Sequence, residues 1–191
     1  MVSPVESIAM KTTTKGFAML CAAVLALTAV TEVADARPRP RRGKKFQANK
    51  TFGLGIMLGA PTGFSGKYFY ADDKAFDFGI GAIGYYRGRD GLHVHFDHLW
   101  HPVSIASTPS FELPLYMGVG ARFWDFDDRD FGDGTVFGIR GPVGIAFDLN
   151  NTPLDIFFEI ALVLDFYADY RGDDDVDVDV NGAIGLRYWF E

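Results

Sequence analysis

The sequence predicts an all-β fold: an eight-stranded antiparallel up-and-down transmembrane β-barrel, preceded by a cleaved signal peptide and a short disordered basic arm. Three observations predict it. From Thr51 onward polar and apolar residues alternate with a period of two, interrupted by Gly, Pro, Asp or Asn clusters. One face of the alternation is bulky and free of charge, whereas the other mixes glycine with isolated charges. Aromatic rings gather at the ends of runs whose centres are aliphatic.

Residues 1–36 read as a secretory signal. Lys11 and Lys15 precede an apolar run from Phe17 to Val30, and Ala34-Asp35-Ala36 supplies the small-x-small cleavage pattern. That run is shorter than the roughly 20 residues a spanning helix needs. Cys21 is the single cysteine, which rules out a disulfide framework. Residues 37–50 form a basic, Pro-rich linker with seven basic and no acidic residues, expected to be extended and unpacked. Its stretch 37–45 is where contact with a polyanion is expected, if anywhere. The barrel domain, 51–191, carries 9 basic and 22 acidic residues, and the whole chain has a formal charge of −7. Nucleic-acid binding is excluded, because a polyanion needs a basic face. After residue 50 only Lys67 and Lys74 are lysines, so something other than water is expected to cover this surface.

Eight runs follow in order, near 51–60, 64–70, 75–86, 92–101, 111–126, 136–148, 154–167 and 176–190. Pro61-Thr-Gly63 ends the first, Asp72-Asp-Lys74 the second, and Arg87-Gly-Arg-Asp-Gly91 the third. A Ser/Pro stretch at 102–110 ends the fourth, an acidic loop at 127–135 the fifth, Asn150-Asn-Thr-Pro153 the sixth, and 169–175 the seventh. In the fifth run Leu113, Leu115, Met117, Val119 and Phe123 oppose Tyr116, Gly118, Gly120 and Arg122. The sixth sets Phe137, Ile139, Val143 and Ile145 against Gly138, Arg140, Pro142 and Gly144, and the seventh sets Ile156, Phe158, Ile160 and Leu162 against Asp155, Glu159, Ala161 and Val163. A water-soluble barrel would place the apolar face inside and a Lys- and Glu-rich face outside. The glycine-rich second face suits the inverse: apolar residues against lipid, and small residues with paired charges filling a narrow interior. Most runs reach the 9–11 residues of a tilted spanning strand. Tyr68, Tyr70, Tyr85, Tyr86, Phe123, Trp124, Phe126, Trp100, Tyr188, Trp189 and Phe190 would form the rim girdles.

The inward face carries Lys67, Asp77, Asp97, Arg122, Arg140, Asp155, Glu159, Asp165 and Arg187, read as an interior ion-pair network. His93 and His95 share a face with Asp97, about 6.8 Å apart per pair from a ~3.4 Å rise. Neighbours on one strand seldom converge to a metal's ~2.0–2.2 Å without help from another strand, so hydrogen bonding to carboxylates is expected and no metal or cofactor. His98 and His101 are expected to face the other way or to sit at the rim. Asp173 to Asp175, Asp177 and Asp179 lack calcium-loop spacing.

The segments Gly53 to Tyr68, Leu92 to His101, Leu113 to Tyr116, Gly138 to Gly144, Pro153 to Ile156 and Gly182 to Phe190 resemble, taken together, a widespread family of small bacterial outer-membrane barrels with no assigned activity and an OmpA-like eight-stranded transmembrane domain. The resemblance implies fold and location and no chemistry. Gly185, Tyr188 and Phe190 match the C-terminal signal read by the barrel-insertion machinery, whereas Ala183 stands where a polar residue is usual. The expected role is therefore non-enzymatic, structural or surface-binding, for a monomer in the outer membrane whose partners are lipid and, during biogenesis, that machinery. The alternatives are a lipid-modifying hydrolase, a narrow ion pore and a soluble periplasmic lipid-binding barrel.

Overall fold

The computed structural model describes residues 44–86, 89–128, 134–168 and 176–190. The signal with Ala34 and Ala36, arm residues 37–43, the segments 129–133 and 169–175, and Glu191 lie outside the described residues. The strands are β1 (Phe52–Gly59), β2 (Thr62–Ala71), β3 (Lys74–Tyr86), β4 (Arg89–Ser107), β5 (Phe111–Asp128), β6 (Gly134–Leu149), β7 (Leu154–Ala168) and β8 (Val176–Phe190). Each pairs antiparallel with the next, and β8 closes on β1 from Phe52↔Phe190 to Gly59↔Ala183. Closure removes both sheet edges, so the ladder satisfies backbone N–H and C=O groups without water. The β2–β3, β4–β5 and β6–β7 turns share one end with the start of β1 and the end of β8, here called the terminal end. At the opposite, far end the β1–β2 turn places Gly59 at φ 130°, a conformation only glycine adopts readily, followed by a cis Ala60–Pro61 bond.

Period two decides which side chains enter the ring. Along β7 the residues Asp155, Phe157, Glu159, Ala161, Val163 and Asp165 are buried, while the intervening residues from Ile156 to Phe166 are 38–63% exposed. Along β6 and β8 the same alternation buries Arg140 and Arg187 and exposes Val143, Val180 and Ile184. The polar face is the interior, and the bulky apolar face looks outward.

Three local expectations need correction. The Ser/Pro stretch at 102–107 is not a break but the end of β4. An irregularity between Trp100 and Val103 admits one extra residue, and Pro102, which has no N–H to donate, is tolerated at such a bulge. His101, expected outward or at the rim, is 1% exposed inside the ring, because it keeps the parity of His93, His95 and Asp97 up to that bulge. Trp124, Phe126 and Trp189, expected in the rim girdles, have inward parity and are buried at the two ends of the interior.

The basic linker is also shorter than expected, since residues 44–50 pack onto the barrel. Lys44 bridges Ser104, Ala48 N–H donates to Asp72 C=O at 2.8 Å, and Lys50 reaches Asp148. Phe46 is 2% exposed, with ring centroids 5.7 Å from Phe69 and 5.2 Å from His101. Phe46 thereby joins Phe69, His101 and Trp189 in an aromatic cluster at the terminal end. Truncation of Phe46 to Ala is predicted to destabilise the folded barrel by about 3–5 kcal/mol, read as a lower temperature at which the compact gel band converts to the unfolded one. An unpacked linker would give no shift.

Candidate functional site in the barrel interior

The eleven polar residues placed inward by the sequence, Lys67, Asp77, His93, His95, Asp97, Arg122, Arg140, Asp155, Glu159, Asp165 and Arg187, are each at most 4% exposed within the ring. They come from seven strands, so the ion pairs among them tie together separate parts of the chain. The interior is layered. Ile83, Trp124, Phe126 and Val136 pack together toward the far end, and Met57, Leu99, Tyr116, Ala146 and Phe157 form a second apolar cluster. The charges are arranged around and between these clusters.

Each buried arginine bridges side chains from two other strands. Arg122 of β5 donates through Nε to Asp165 Oδ1 at 2.8 Å, through Nη1 to Asn181 Oδ1 at 2.8 Å, and through Nη2 to Asp179 Oδ2 at 3.0 Å. Arg140 of β6 places Nε 3.0 Å from Asp97 Oδ2 and Nη2 2.5 Å from Glu159 Oε1. Arg187 of β8 donates to Ser65 Oγ at 2.9 Å, lies 2.9 Å from Asp77 Oδ1, and stacks its guanidinium 3.8 Å from the Phe157 ring centre. A planar guanidinium with five donors suits such bridges, which a lysine point charge does not. Lys67 instead sits over the Tyr116 ring, Nζ 4.2 Å from its centre. Asp155 accepts from Trp189 Nε1 at 3.2 Å.

Glycine makes room for these side chains. A Cβ built at Gly79 would stand 2.3 Å from His95 Cε1, and one at Gly120 would stand 1.9 Å from Asp97 Oδ1. The glycine-rich character of the inward face is thus the space that the buried charges occupy.

The histidines depart from expectation. Hydrogen bonds from His93 and His95 to carboxylates were expected, yet among the described residues neither ring has a hydrogen-bond partner. His95 Nε2 is 4.0 Å from Asp77 Oδ2, and the two rings meet edge-on at 5.6 Å. The reason is competition: Arg187 and Arg140 engage Asp77 and Asp97, the carboxylates nearest in register. Ser65 Oγ accepts from Arg187 Nε and is not paired with a histidine.

Several interior residues escaped sequence reasoning. Asp179 and Asn181 were legible, since stepping back by two from Arg187 along β8 reaches both, but the neighbouring acidic run suggested a loop. Tyr116 was placed on the inward face without a role. Phe46 carried no periodic signal.

Replacing Arg140 by Met leaves Asp97 and Glu159 without their shared counter-charge. Loss of one partner from a buried pair is expected to cost about 3–5 kcal/mol, measured as denaturant midpoint of the folded barrel. The triple change Arg140→Met, Asp97→Leu, Glu159→Leu is expected to regain much of that loss. An unchanged midpoint for the single variant would show that the bridge holds nothing.

No family model matches the chain, and no curated protein does. Among solved structures the chain is similar to Ail, the attachment invasion locus protein of Yersinia pestis, with a TM-score of 0.35 and 17% identity over 74% of this chain and 97% of that one.

Proposed function

We propose that the protein is an exported outer-membrane barrel, non-enzymatic, with a structural or surface-binding role, whose outer face contacts lipid and whose interior is a charged plug. The observation that carries this reading is the inversion of burial: Arg122, Arg140 and Arg187 are at most 2% exposed, while Ile56, Ile139, Val143, Ile160 and Val180 are 50–63% exposed. Water would impose the opposite order, because exposed apolar area is unfavourable and buried charge needs compensation. Hydrocarbon around the ring removes the conflict. Exposed Tyr68, Tyr70, Trp100 and Tyr188 lie toward the terminal end, where amphipathic rings suit a membrane interface. A soluble lipid carrier would need an apolar lumen, and this interior is crossed by ion pairs instead. A pore reading is disfavoured by the same filling, and a hydrolase reading by the buried His93 and His95, whose rings have no hydroxyl partner among the described residues. In this reading Tyr188 and Phe190 present the outward positions of the insertion signal, and Gly185 lies inside against Phe157.

Expressed at native level in a Gram-negative host, the chain is expected to remain in the outer-membrane fraction after alkaline extraction and to migrate faster on gels when unheated. Release into the soluble fraction would contradict the proposal and restore the carrier. Ile160→Arg or Val143→Arg, each charging the outward face near mid-strand, is expected to cost about 2–4 kcal/mol and to lower assembly. Unaltered assembly of both variants would argue that this face meets water.

A further inference from the structure

We propose that His95, Asp97 and Glu159 form a binding site for one divalent transition-metal ion of the zinc class inside the barrel. β4 carries His95 and Asp97 two residues apart on its inner face, and β7 brings Glu159 to them. One potential ligand atom from each residue lies within 4.8 Å of the other two. This is the cross-strand contribution that a pair on one strand lacks.

Arg140 orders both carboxylates from one side. It contacts Asp97 Oδ2 and Glu159 Oε1, while Asp97 Oδ1 has no hydrogen-bond partner among the described residues. His95 supplies the independent observation. It is 1% exposed, neither of its ring nitrogens is hydrogen-bonded, and Asp77 Oδ2, at 4.0 Å from Nε2, is beyond hydrogen-bond reach. Burying an imidazole with no partner is unfavourable, and a metal ion is a partner its nitrogen lone pair can take.

The donor set selects the ion. Two carboxylate oxygens with one imidazole nitrogen suit zinc-class ions, whereas calcium and magnesium prefer oxygen alone. Ligands about 2.1 Å from a tetrahedral ion are about 3.4 Å apart, so the three atoms draw together by at most about 1.4 Å in any pair. Asp97 and Glu159 supply two buried carboxylates that can balance the ion's charge. Gly79 and Gly120 leave the space in which His95 and Asp97 adjust. With Trp124 and Phe126 buried toward one end and Phe46 toward the other, uptake is expected as the barrel closes rather than afterwards.

The test is refolding of the full chain in detergent with Zn²⁺ in slight excess, followed by chelator treatment, metal quantification and X-ray absorption at the zinc edge. The expected result is about one retained zinc per folded chain, with one imidazole nitrogen and oxygen ligands around it. His95→Gln and Glu159→Gln are each expected to lower retained zinc by about tenfold or more, while His93→Gln and His98→Gln retain it. Negligible zinc in the wild-type chain, zinc retained by His95→Gln, or loss on changing the outward-facing His98 alone would overturn the proposal. Should His95→Gln or Glu159→Gln fail to give the compact band, the absorption spectrum of the wild-type protein decides: a shell without imidazole overturns the site.

Discussion

Three guanidinium groups buried in an eight-stranded ring set the terms for the rest of the molecule. An isolated charge in a low-dielectric interior is costly, and the cost is offset only when carboxylates meet it with good geometry. Arg122 therefore requires Asp165 and Asp179 from β7 and β8, Arg140 requires Asp97 and Glu159 from β4 and β7, and Arg187 requires Asp77 from β3. Apart from Arg140–Glu159, which joins the neighbours β6 and β7, these demands couple the register of strands that are not neighbours in the ring. A slip of one residue in any of them would turn its charged side chains onto the outward face. The bridges thus specify one closure of the barrel as much as they stabilise it.

The remaining interior features answer the same constraint. Glycines at 79 and 120 yield the volume that His95 and Asp97 take up, and the ring of Phe157 provides a face against which Arg187 stacks. Trp124 and Phe126 at one end and Phe69, Trp189 and Phe46 toward the other pack over the charges, which limits water and strengthens the ion pairs between them. Residues 44–50 belong to this arrangement: ahead of β1 they bring Phe46 into the terminal-end cluster and pair Lys50 with Asp148.

Much of this was legible in the sequence because a strand has a single strong rule. Alternation along 136–148 and 154–167 placed Arg140, Asp155, Glu159 and Asp165 on one face, and closure then required that face to be inside or outside as a whole. The choice followed from glycine, since a face with so little bulk cannot cover a surface but can surround large side chains. What escaped was whatever departs from uniform alternation. The bulge at Pro102 extended β4 past a stretch rich in breakers, and proximity to the strand end overrode parity in reading His101, Trp124 and Trp189. Phe46 lies outside any strand, so its burial depends on tertiary proximity that no local pattern encodes. The histidine contacts were missed for another reason: alternation names the face a side chain occupies, not which of several competitors wins a given carboxylate.

The burial pattern puts the apolar face outside and the polar face inside, and the proposed membrane location puts hydrocarbon around the ring. Single nitroxide labels placed in turn along β7, with the protein refolded into lipid bilayers, test it most directly through collision with oxygen, which concentrates in lipid, and with a water-soluble nickel chelate. High oxygen and low nickel accessibility is expected at 156, 158, 160, 162 and 164, greatest near 160, with low accessibility to both at 157, 161 and 163. High nickel accessibility at 160, or oxygen accessibility following the odd positions, would contradict it.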